Sequence, residues 1–146
     1  MRVLAIASSG GHWVQLLRLK SSFNDHELIF ASTTKANEVM VKEHEFFPIP
    51  DTNRNNYLSI LKTTLSLTKV LVKIKPELII TTGAAPGLFA LLIGKIMGIK
   101  TIWIDSIANV ETISMSGKIA MRFADRVYTQ WPDLANNKII FKGNIL

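Results

Sequence analysis

The feature that most constrains the fold is a repeated order of short strand-like run, small-residue turn and helical segment. The first run, residues 3–7, is entirely apolar and stops at Ser8-Ser9-Gly10-Gly11, after which apolar residues follow at helical spacing. Further strand-like runs occupy residues 28–31, 78–82, 100–105, 126–130 and 139–141. A continuous apolar run of this length is typical of a strand buried on both faces, as in a parallel sheet. Strands that alternate with helices therefore predict a Rossmann-like, doubly wound α/β fold with a mostly parallel sheet.

Helices are predicted over residues 12–23, 36–42, 57–75, 88–97 and 116–124. Residues 46–50 carry two prolines and are expected to be extended, and residues 51–56 form the most loop-like segment. No internal boundary is visible, and 146 residues suit one domain. The sequence therefore predicts a single domain over residues 1–146.

Composition excludes several classes of protein. The chain has no cysteine, which rules out a disulfide framework, a thiolate nucleophile and a zinc–thiolate site. Its three histidines show no paired spacing, so we expect neither a metal nor another cofactor. No apolar stretch approaches the roughly 20 residues that span a bilayer, and no signal peptide is recognisable.

The net charge of +6 is unevenly placed along the chain. Residues 1–55 hold six basic and six acidic side chains, so the whole excess lies in residues 56–146. A basic excess permits nucleic acid, anionic lipid or phosphorylated substrates as partners.

The helix predicted over residues 57–75 narrows that choice. At 100° per residue, Lys62, Lys69 and Lys73 fall within about 40° of one another. They are flanked by apolar residues beyond those needed to cover a sheet, namely Leu58, Leu61, Leu65 and Val72. This pattern indicates a helix that rests on an anionic membrane, and a core helix with solvated lysines is the alternative. Binding to nucleic acid is not expected, because no aromatic residues interleave with the basic ones.

Three segments are expected at the carboxyl edge of the sheet, where ligands bind in open parallel folds. Ser8-Ser9-Gly10-Gly11-His12 suits an anion or a sugar hydroxyl, and His12 could act as a base near neutral pH. The second segment, residues 83–87, and the third, Asp105-Ser106, follow later strands. Each has a structural alternative: a turn with a surface histidine, a tight connection, or a helix cap. Neither GxGxxG nor GxxxxGK[ST] occurs, which counts against a stand-alone nucleotide-binding enzyme.

Taken together, these motifs resemble a known family. The residues that carry the resemblance are Ser9 to His12, Pro76-Glu77-Leu78-Ile79-Ile80, Gly83 with Pro86-Gly87, Asp105-Ser106, Ser114 to Lys118, Ala124-Asp125-Arg126 and Gln130-Trp131-Pro132-Asp133-Leu134. They resemble the acceptor-side subunit of the two-part UDP-N-acetylglucosamine transferase of dolichol-linked oligosaccharide synthesis. The resemblance is closer to bacterial PssD/CpsF-type subunits of exopolysaccharide and capsule assembly, and the first turn also resembles that of MurG. Asp105 stands where glutamate is common, and Ala84-Ala85 also depart from the usual pattern.

The resemblance implies the N-terminal half of an inverting GT-B glycosyltransferase, held peripherally at the cytoplasmic face of the cell membrane. Such a subunit binds a polyprenyl-diphosphate-linked sugar and recruits a PssE/CpsG-type partner that binds most of the UDP-sugar. A purely structural recruiter, with no side chain in the chemistry, remains an alternative.

The resemblance also implies roles for particular residues. His12 is the expected catalytic base and Asp105 the second choice. The expected acceptor-binding residues are Ser9, Gly10, Gly11, His12, Gly83, Pro86, Gly87 and Ser106. The expected partner interface comprises Ser114, Ser116, Gly117, Gln130, Trp131 and residues 142–146.

Overall fold

A single sheet of seven parallel strands forms the centre of the computed structural model, which describes residues 1–53 and 55–145. The strands are β1 Arg2–Ala7, β2 Glu27–Ser32, β3 Phe46–Pro48, β4 Leu78–Thr81, β5 Lys100–Ile104, β6 Arg126–Thr129 and β7 Ile140–Phe141. Four α-helices connect them: α1 Gly11–Arg18, α2 Tyr57–Ile74, α3 Ala84–Ile96 and α4 Met115–Ala120. Three short 3₁₀ helices cover Lys20–Phe23, Lys35–Val41 and Pro132–Leu134.

The strand order is β3-β2-β1-β4-β5-β6-β7, which confirms the predicted Rossmann-like, doubly wound class. The chain first builds outward from β1 to β3 and then returns to the other side of β1. Ile6 of β1 pairs with Ala31 of β2 on one side and with Thr81 of β4 on the other. The order therefore reverses between β1 and β4, and the loops after these two strands leave the sheet side by side.

Alternation along β1 divides the core into two layers. Leu4 and Ile6 face a cluster formed with α2, α3 and α4, and Val3, Ala5 and Ala7 face the cluster that contains α1. Successive side chains of a strand point to opposite faces, so a run that is apolar at every position must be covered on both. The helices supply that cover.

The helix α2 has defined ends and two distinct faces. The side chain of Asn56 accepts hydrogen bonds from the amides of Leu58 and Ser59, at 3.0 and 3.3 Å, which caps the helix. Lys75 takes a left-handed conformation directly before Pro76 and ends it. The buried residues form one stripe towards the sheet, namely Thr63, Leu67, Val70, Leu71 and Ile74. The four apolar residues and three lysines singled out from the sequence all lie on the exposed side.

Some predicted boundaries were wrong. Helix α3 begins at Ala84 rather than residue 88, so Pro86 lies within the helix, at its third position. Proline fits there because the amides of the first turn have no acceptor within the helix. The helix predicted over residues 12–23 ends at Arg18 and is followed by a 3₁₀ turn, and the segment predicted as a helix over residues 36–42 is a 3₁₀ helix as well.

Among the described residues, no helix combines the length and the apolar character needed to cross a bilayer.

Candidate functional site

The loops that follow β1 and β4 are joined through His12. Its Nδ1 lies 2.9 Å from the carbonyl oxygen of Thr82, and the Thr82 hydroxyl donates to the carbonyl oxygen of His12 at 2.6 Å. A carbonyl can only accept, so Nδ1 carries the hydrogen and Nε2 of the neutral ring is left with a free lone pair. No hydrogen bond to Nε2 is found within residues 1–53 and 55–145. His12 is thus held in the tautomer that can take up a proton at Nε2.

Gly83 is required for this placement of the imidazole. Its φ of +136° is unfavourable for a side chain, and a Cβ atom built here would lie 2.6 Å from both Cε1 and Nδ1 of His12. The ring of His12 therefore occupies the space that any other residue at position 83 would need.

His12 borders a pocket of about 180 Å³ at the carboxyl edge of the sheet. One side is formed by the two loops at the reversal point, with Thr82, Gly83 and Ala84. The other side comes from the end of β5, the following loop and the start of α4, namely Trp103, Asp105, Ser106, Asn109, Ser114, Met115 and Ser116. The pocket thus lies where the fold class predicts a ligand.

Asp105 anchors the loop that forms this second side. It is 1% exposed, and its Oδ1 accepts hydrogen bonds from Nε1 of Trp103 at 2.9 Å and the hydroxyl of Ser114 at 2.5 Å. Its Oδ2 accepts from Nδ2 of Asn109 and the amide of Ser114, both at 2.9 Å. A carboxylate has about four acceptor positions, and all four are used here. Asp105 therefore fixes the loop over residues 105–114 to the end of β5.

The start of α4 belongs to the same cluster. The hydroxyl of Ser114 accepts from the amide of Gly117 at 2.9 Å and so caps the helix. A Cβ atom on Gly117 would lie 2.7 Å from Oδ1 of Asp105. Ser116 and Gly117 are buried, and Ser114 and Ser116 line the pocket. These three residues, expected at a partner interface, lie in this chain beside the pocket.

Two buried glutamines connect α1 to the other side of the pocket. The amide oxygen of Gln15 accepts from Nε2 of Gln130 at 2.7 Å and from the amide of Ile107 at 3.1 Å. Its Nε2 donates to the hydroxyl of Ser106 at 3.2 Å, and Nε2 of Gln130 also donates to the carbonyl of Asp105 at 3.0 Å. Gln130 is 3% exposed, so it would reach a partner only through the residues that it holds in place.

The remaining residues of the expected interface lie on the side of β6. Trp131 is half-buried and donates from Nε1 to the carbonyl of Ile107 at 2.8 Å. In the C-terminal segment, the amide of Ile145 donates to Oε1 of Gln130 at 3.0 Å, and its carbonyl accepts from Arg18 at 2.7 Å. Leu146 lies outside the described residues.

The expected acceptor-binding residues divide into two groups. His12, Gly83 and Ser106 line the pocket, while Ser9, Gly10 and Gly11 form the exposed turn that leads into α1. Pro86 and Gly87 do not line it: both are buried, and a Cβ on Gly87 would lie 2.0 Å from Oγ1 of Thr81. Gly87 thus allows α3 to approach the sheet closely.

Sequence reasoning missed Gln15, Thr82 and Asn109. The position of Gln15 could have been noticed in the sequence, because it is a polar residue between the apolar residues Trp13 and Leu16 of α1. Thr82 and Asn109 left no such signal, since their roles depend on loops that meet only in the fold. As for metals, no group of histidine or acidic side chains within the described ranges could hold an ion.

The fold places the chain in the class of Rossmann-like α/β domains. MurG from Acinetobacter baumannii superposes with a TM-score of 0.78 at 16% identity, covering 97% of this chain and 45% of that one. UDP-GlcNAc 2-epimerase from Neisseria meningitidis bound to UDP-GlcNAc gives 0.70 at 16% identity, covering 99% and 47%. These likenesses establish the fold, and the chain spans less than half the length of these solved structures.

Sequence comparison identifies the family. Residues 3–145 match the family "Oligosaccharide biosynthesis protein Alg14 like", and the chain belongs to it. The human UDP-N-acetylglucosamine transferase subunit ALG14 is 31% identical over an alignment 183 positions long, which covers 100% of this chain and 83% of the human protein. The Rattus norvegicus protein of the same name is 30% identical, covering 99% and 82%.

Proposed function

We propose that this chain is the acceptor-side, membrane-associated subunit of a two-component glycosyltransferase. It binds a polyprenyl-diphosphate-linked sugar and recruits a partner that binds the UDP-sugar donor and completes the active site. The observation that carries this proposal is the pocket at the strand-order reversal, where His12 presents a free ring nitrogen, in a chain of the Alg14 family.

The chemistry assigned to His12 is that of a general base. As the acceptor hydroxyl attacks the anomeric carbon of the donor sugar, its proton passes to Nε2, the bond from that carbon to UDP breaks, and UDP leaves with the electron pair. The configuration at the anomeric carbon inverts in this single displacement. A positioned base typically contributes 10²–10⁴-fold to the rate. The amides at the start of α1, which no described side chain caps, and the hydroxyl of Ser106 are suited to hold the diphosphate or a sugar hydroxyl.

The names of the relatives support the proposal that a second protein takes part in the reaction. The ALG14 relatives are named as subunits of a UDP-N-acetylglucosamine transferase, and this chain covers more than four-fifths of their length. We propose that residues 1–146 act as one acceptor-side domain and that a partner of the PssE/CpsG type supplies the donor-binding domain. The bacterial PssD/CpsF-type subunits of exopolysaccharide and capsule assembly provide the proposed setting, with lipid-linked oligosaccharide synthesis as the other.

The proposed membrane surface is the exposed side of α2. Leu58 is 74% exposed and Leu61 and Leu65 are each 54% exposed, although nothing in the core requires leucine at these positions. Lys62, Lys69 and Lys73 lie on the same side, and residues 57–75 contain no acidic residue. Such a surface is attracted to anionic lipid headgroups at the cytoplasmic face.

Reconstitution with the partner tests the proposal. The chain is co-expressed with a donor-binding candidate, the complex is purified, and transfer from UDP-N-acetylglucosamine to a polyprenyl-diphosphate sugar is measured. We expect transfer from the complex and none from this chain alone. Stable co-purification without transfer to any polyprenyl-diphosphate sugar would contradict the proposed activity.

A purely structural recruiter is the second candidate. The full hydrogen bonding of Asp105 favours this candidate, because it removes one of the two expected catalytic side chains. Among these two, the catalytic role then depends on His12 alone. A recruiter predicts that the isolated partner keeps slow activity and that loss of the His12 side chain has little effect.

A further inference from the structure

A second concavity lies beside the first half of α2, on the side proposed above to face the membrane. It is a groove of about 550 Å³ between the loop after β3 and the helix. Pro50 and Asp51 form one wall, and Leu58, Leu61 and Leu65 form the other. Its volume falls within the range typical of small-molecule sites.

Several polar groups in the groove are already used within the chain. The side chain of Asn56 caps α2. The hydroxyl of Ser59 donates to the carbonyl of Asp51 at 3.2 Å and accepts from the amide of Asn53 at 2.9 Å. Oδ1 of Asp51 accepts from the amide of Thr52 at 2.8 Å. Among the described residues, the groove leaves for a ligand the apolar surface of three leucines, the ammonium group of Lys62 and the second carboxylate oxygen of Asp51. Lys62 makes no ion pair with any acidic side chain in the described ranges.

We propose that this groove binds the isoprenoid chain of a prenyl diphosphate, with Lys62 near the anionic end. An apolar chain with a phosphate head matches the leucine wall and the ammonium group of Lys62, with the head on the helix side of the groove, away from the Asp51 carboxylate on the loop side. This inference rests on the proposed function, because it names where the lipid part of the acceptor lies.

The topology places the groove on the correct edge of the sheet. The groove lies after the carboxyl end of β3 in the chain. Helix α2 connects β3 to the parallel strand β4, so the helix begins at the carboxyl edge of the sheet and runs back to the edge where β4 starts. The His12 pocket follows the carboxyl end of β1 at the same edge. Since β3 and β1 are two strand spacings apart, their ends are separated by about 10 Å. The groove and the His12 side of the pocket therefore open at the same edge of the sheet, and the pocket extends from there towards β4 and β5.

Binding of water-dispersed farnesyl diphosphate to the full chain, measured by calorimetry below its micelle concentration, tests the groove. Inorganic pyrophosphate is the probe without an apolar chain. The variants are Leu61→Gln and Leu65→Gln in the groove, and Val72→Gln as a matched control on the same helix, since Val72 is 53% exposed and lies outside it. All three positions are exposed, and Leu61→Met checks that an apolar side chain restores binding.

We expect farnesyl diphosphate to bind at least tenfold more tightly than pyrophosphate. Each groove variant should weaken it at least fivefold, and Val72→Gln should change it less than twofold. Equal effects of all three variants, no preference over pyrophosphate, or binding to anionic vesicles alone would overturn the proposal and leave α2 as a membrane surface only. Failure of the proposed function is distinguishable, because it would appear as lost sugar transfer by the complex while farnesyl diphosphate still binds.

Discussion

At the scale of single residues, the imidazole of His12 depends on the absence of a side chain at position 83. Gly83→Ala would place a Cβ 2.6 Å from the ring at a φ of +136°. We expect this change to lower the free energy of unfolding by about 1–2 kcal/mol and to reduce sugar transfer, because the ring must move. Chemical denaturation and the transfer assay measure the two effects.

Gly11→Ala is the matched control for that substitution. Gly11 is the first residue of α1, has no atom within 4 Å of a built Cβ and is not in the left-handed region. Its unfolding free energy should be unchanged or raised by up to about 1 kcal/mol. Equal losses of stability in both variants would contradict the role given to Gly83.

Asp105 provides a second test at the residue scale. Asp105→Asn would turn an NH₂ group towards donors that now share the carboxylate, and the site is 1% exposed. We expect a loss of about 2–3 kcal/mol, or roughly 6–10 °C in Tm. A variant with unchanged Tm and abolished transfer would instead make Asp105 the base.

How well single residues could be predicted depends on where their partners lie. The placement of His12 at the sheet edge follows from the run of residues 3–7 and the glycine turn after it, which are local. The four donors to Asp105 come from β5 and from the loop before α4, so the full hydrogen bonding of its carboxylate could not be predicted. Helix α3 begins four residues before the predicted residue 88, and Pro86 does not mark its start, because proline fits several positions of the first helical turn.

At the scale of elements, α2 shows how far periodicity reaches. The angular spacing of its lysines and leucines predicted an exposed side, and every residue singled out lies there. The spacing of these residues does not show what contacts the exposed side of α2, because the same pattern suits a membrane or a ligand as well as solvent.

The charge on α2 gives a prediction for vesicle binding. Lys62→Gln with Lys69→Gln should weaken binding to phosphatidylserine-containing vesicles about 30-fold at low salt, because each lysine near the surface contributes about 1 kcal/mol. Lys73 is left unchanged because its ammonium lies 4.9 Å from the ring of Phe47. Lys35→Gln with Lys138→Gln removes the same charge from exposed positions elsewhere, and an equal loss in that control would contradict a localised surface.

At the opposite edge of the sheet, Asp125 ties the end of α3 to β5. It pairs with Lys95 and accepts from the amide and hydroxyl of Thr101 at 2.8 and 2.9 Å. The Lys95 ammonium, helped by the Thr101 hydrogen bonds, lowers the pKa of the Asp125 carboxyl below its ordinary value. A carboxyl with a lowered pKa in the folded state stabilises above its unfolded pKa, and that contribution is lost as the pH falls through the folded pKa.

Asp125→Asn should therefore cost on the order of 1 kcal/mol at pH 7, a modest figure because the side chain is 39% exposed. The difference from the unchanged chain should shrink as the pH falls below about 4. Urea unfolding at pH 7 and pH 3 measures it, and a difference that stays constant with pH would exclude the carboxylate as the cause.

At the scale of the whole molecule, the strand order brings together residues that are far apart in the chain. His12, Thr82 and Ser106 follow β1, β4 and β5, which are neighbours in the sheet. The fold class was predictable because alternating strands and helices leave few arrangements. The pocket's second side was not, because it depends on the loop over residues 105–114.

The central claim is that His12 serves as the base of a shared active site. The most direct measurement is turnover by the reconstituted complex with His12→Ala and with His12→Asn, whose side-chain amide can still donate to the carbonyl of Thr82. We predict that both variants co-purify with the partner as well as the unchanged chain does, and that both lose 10²–10⁴-fold in kcat. Turnover within about twofold of the unchanged complex would contradict the claim and leave this chain as a recruiter.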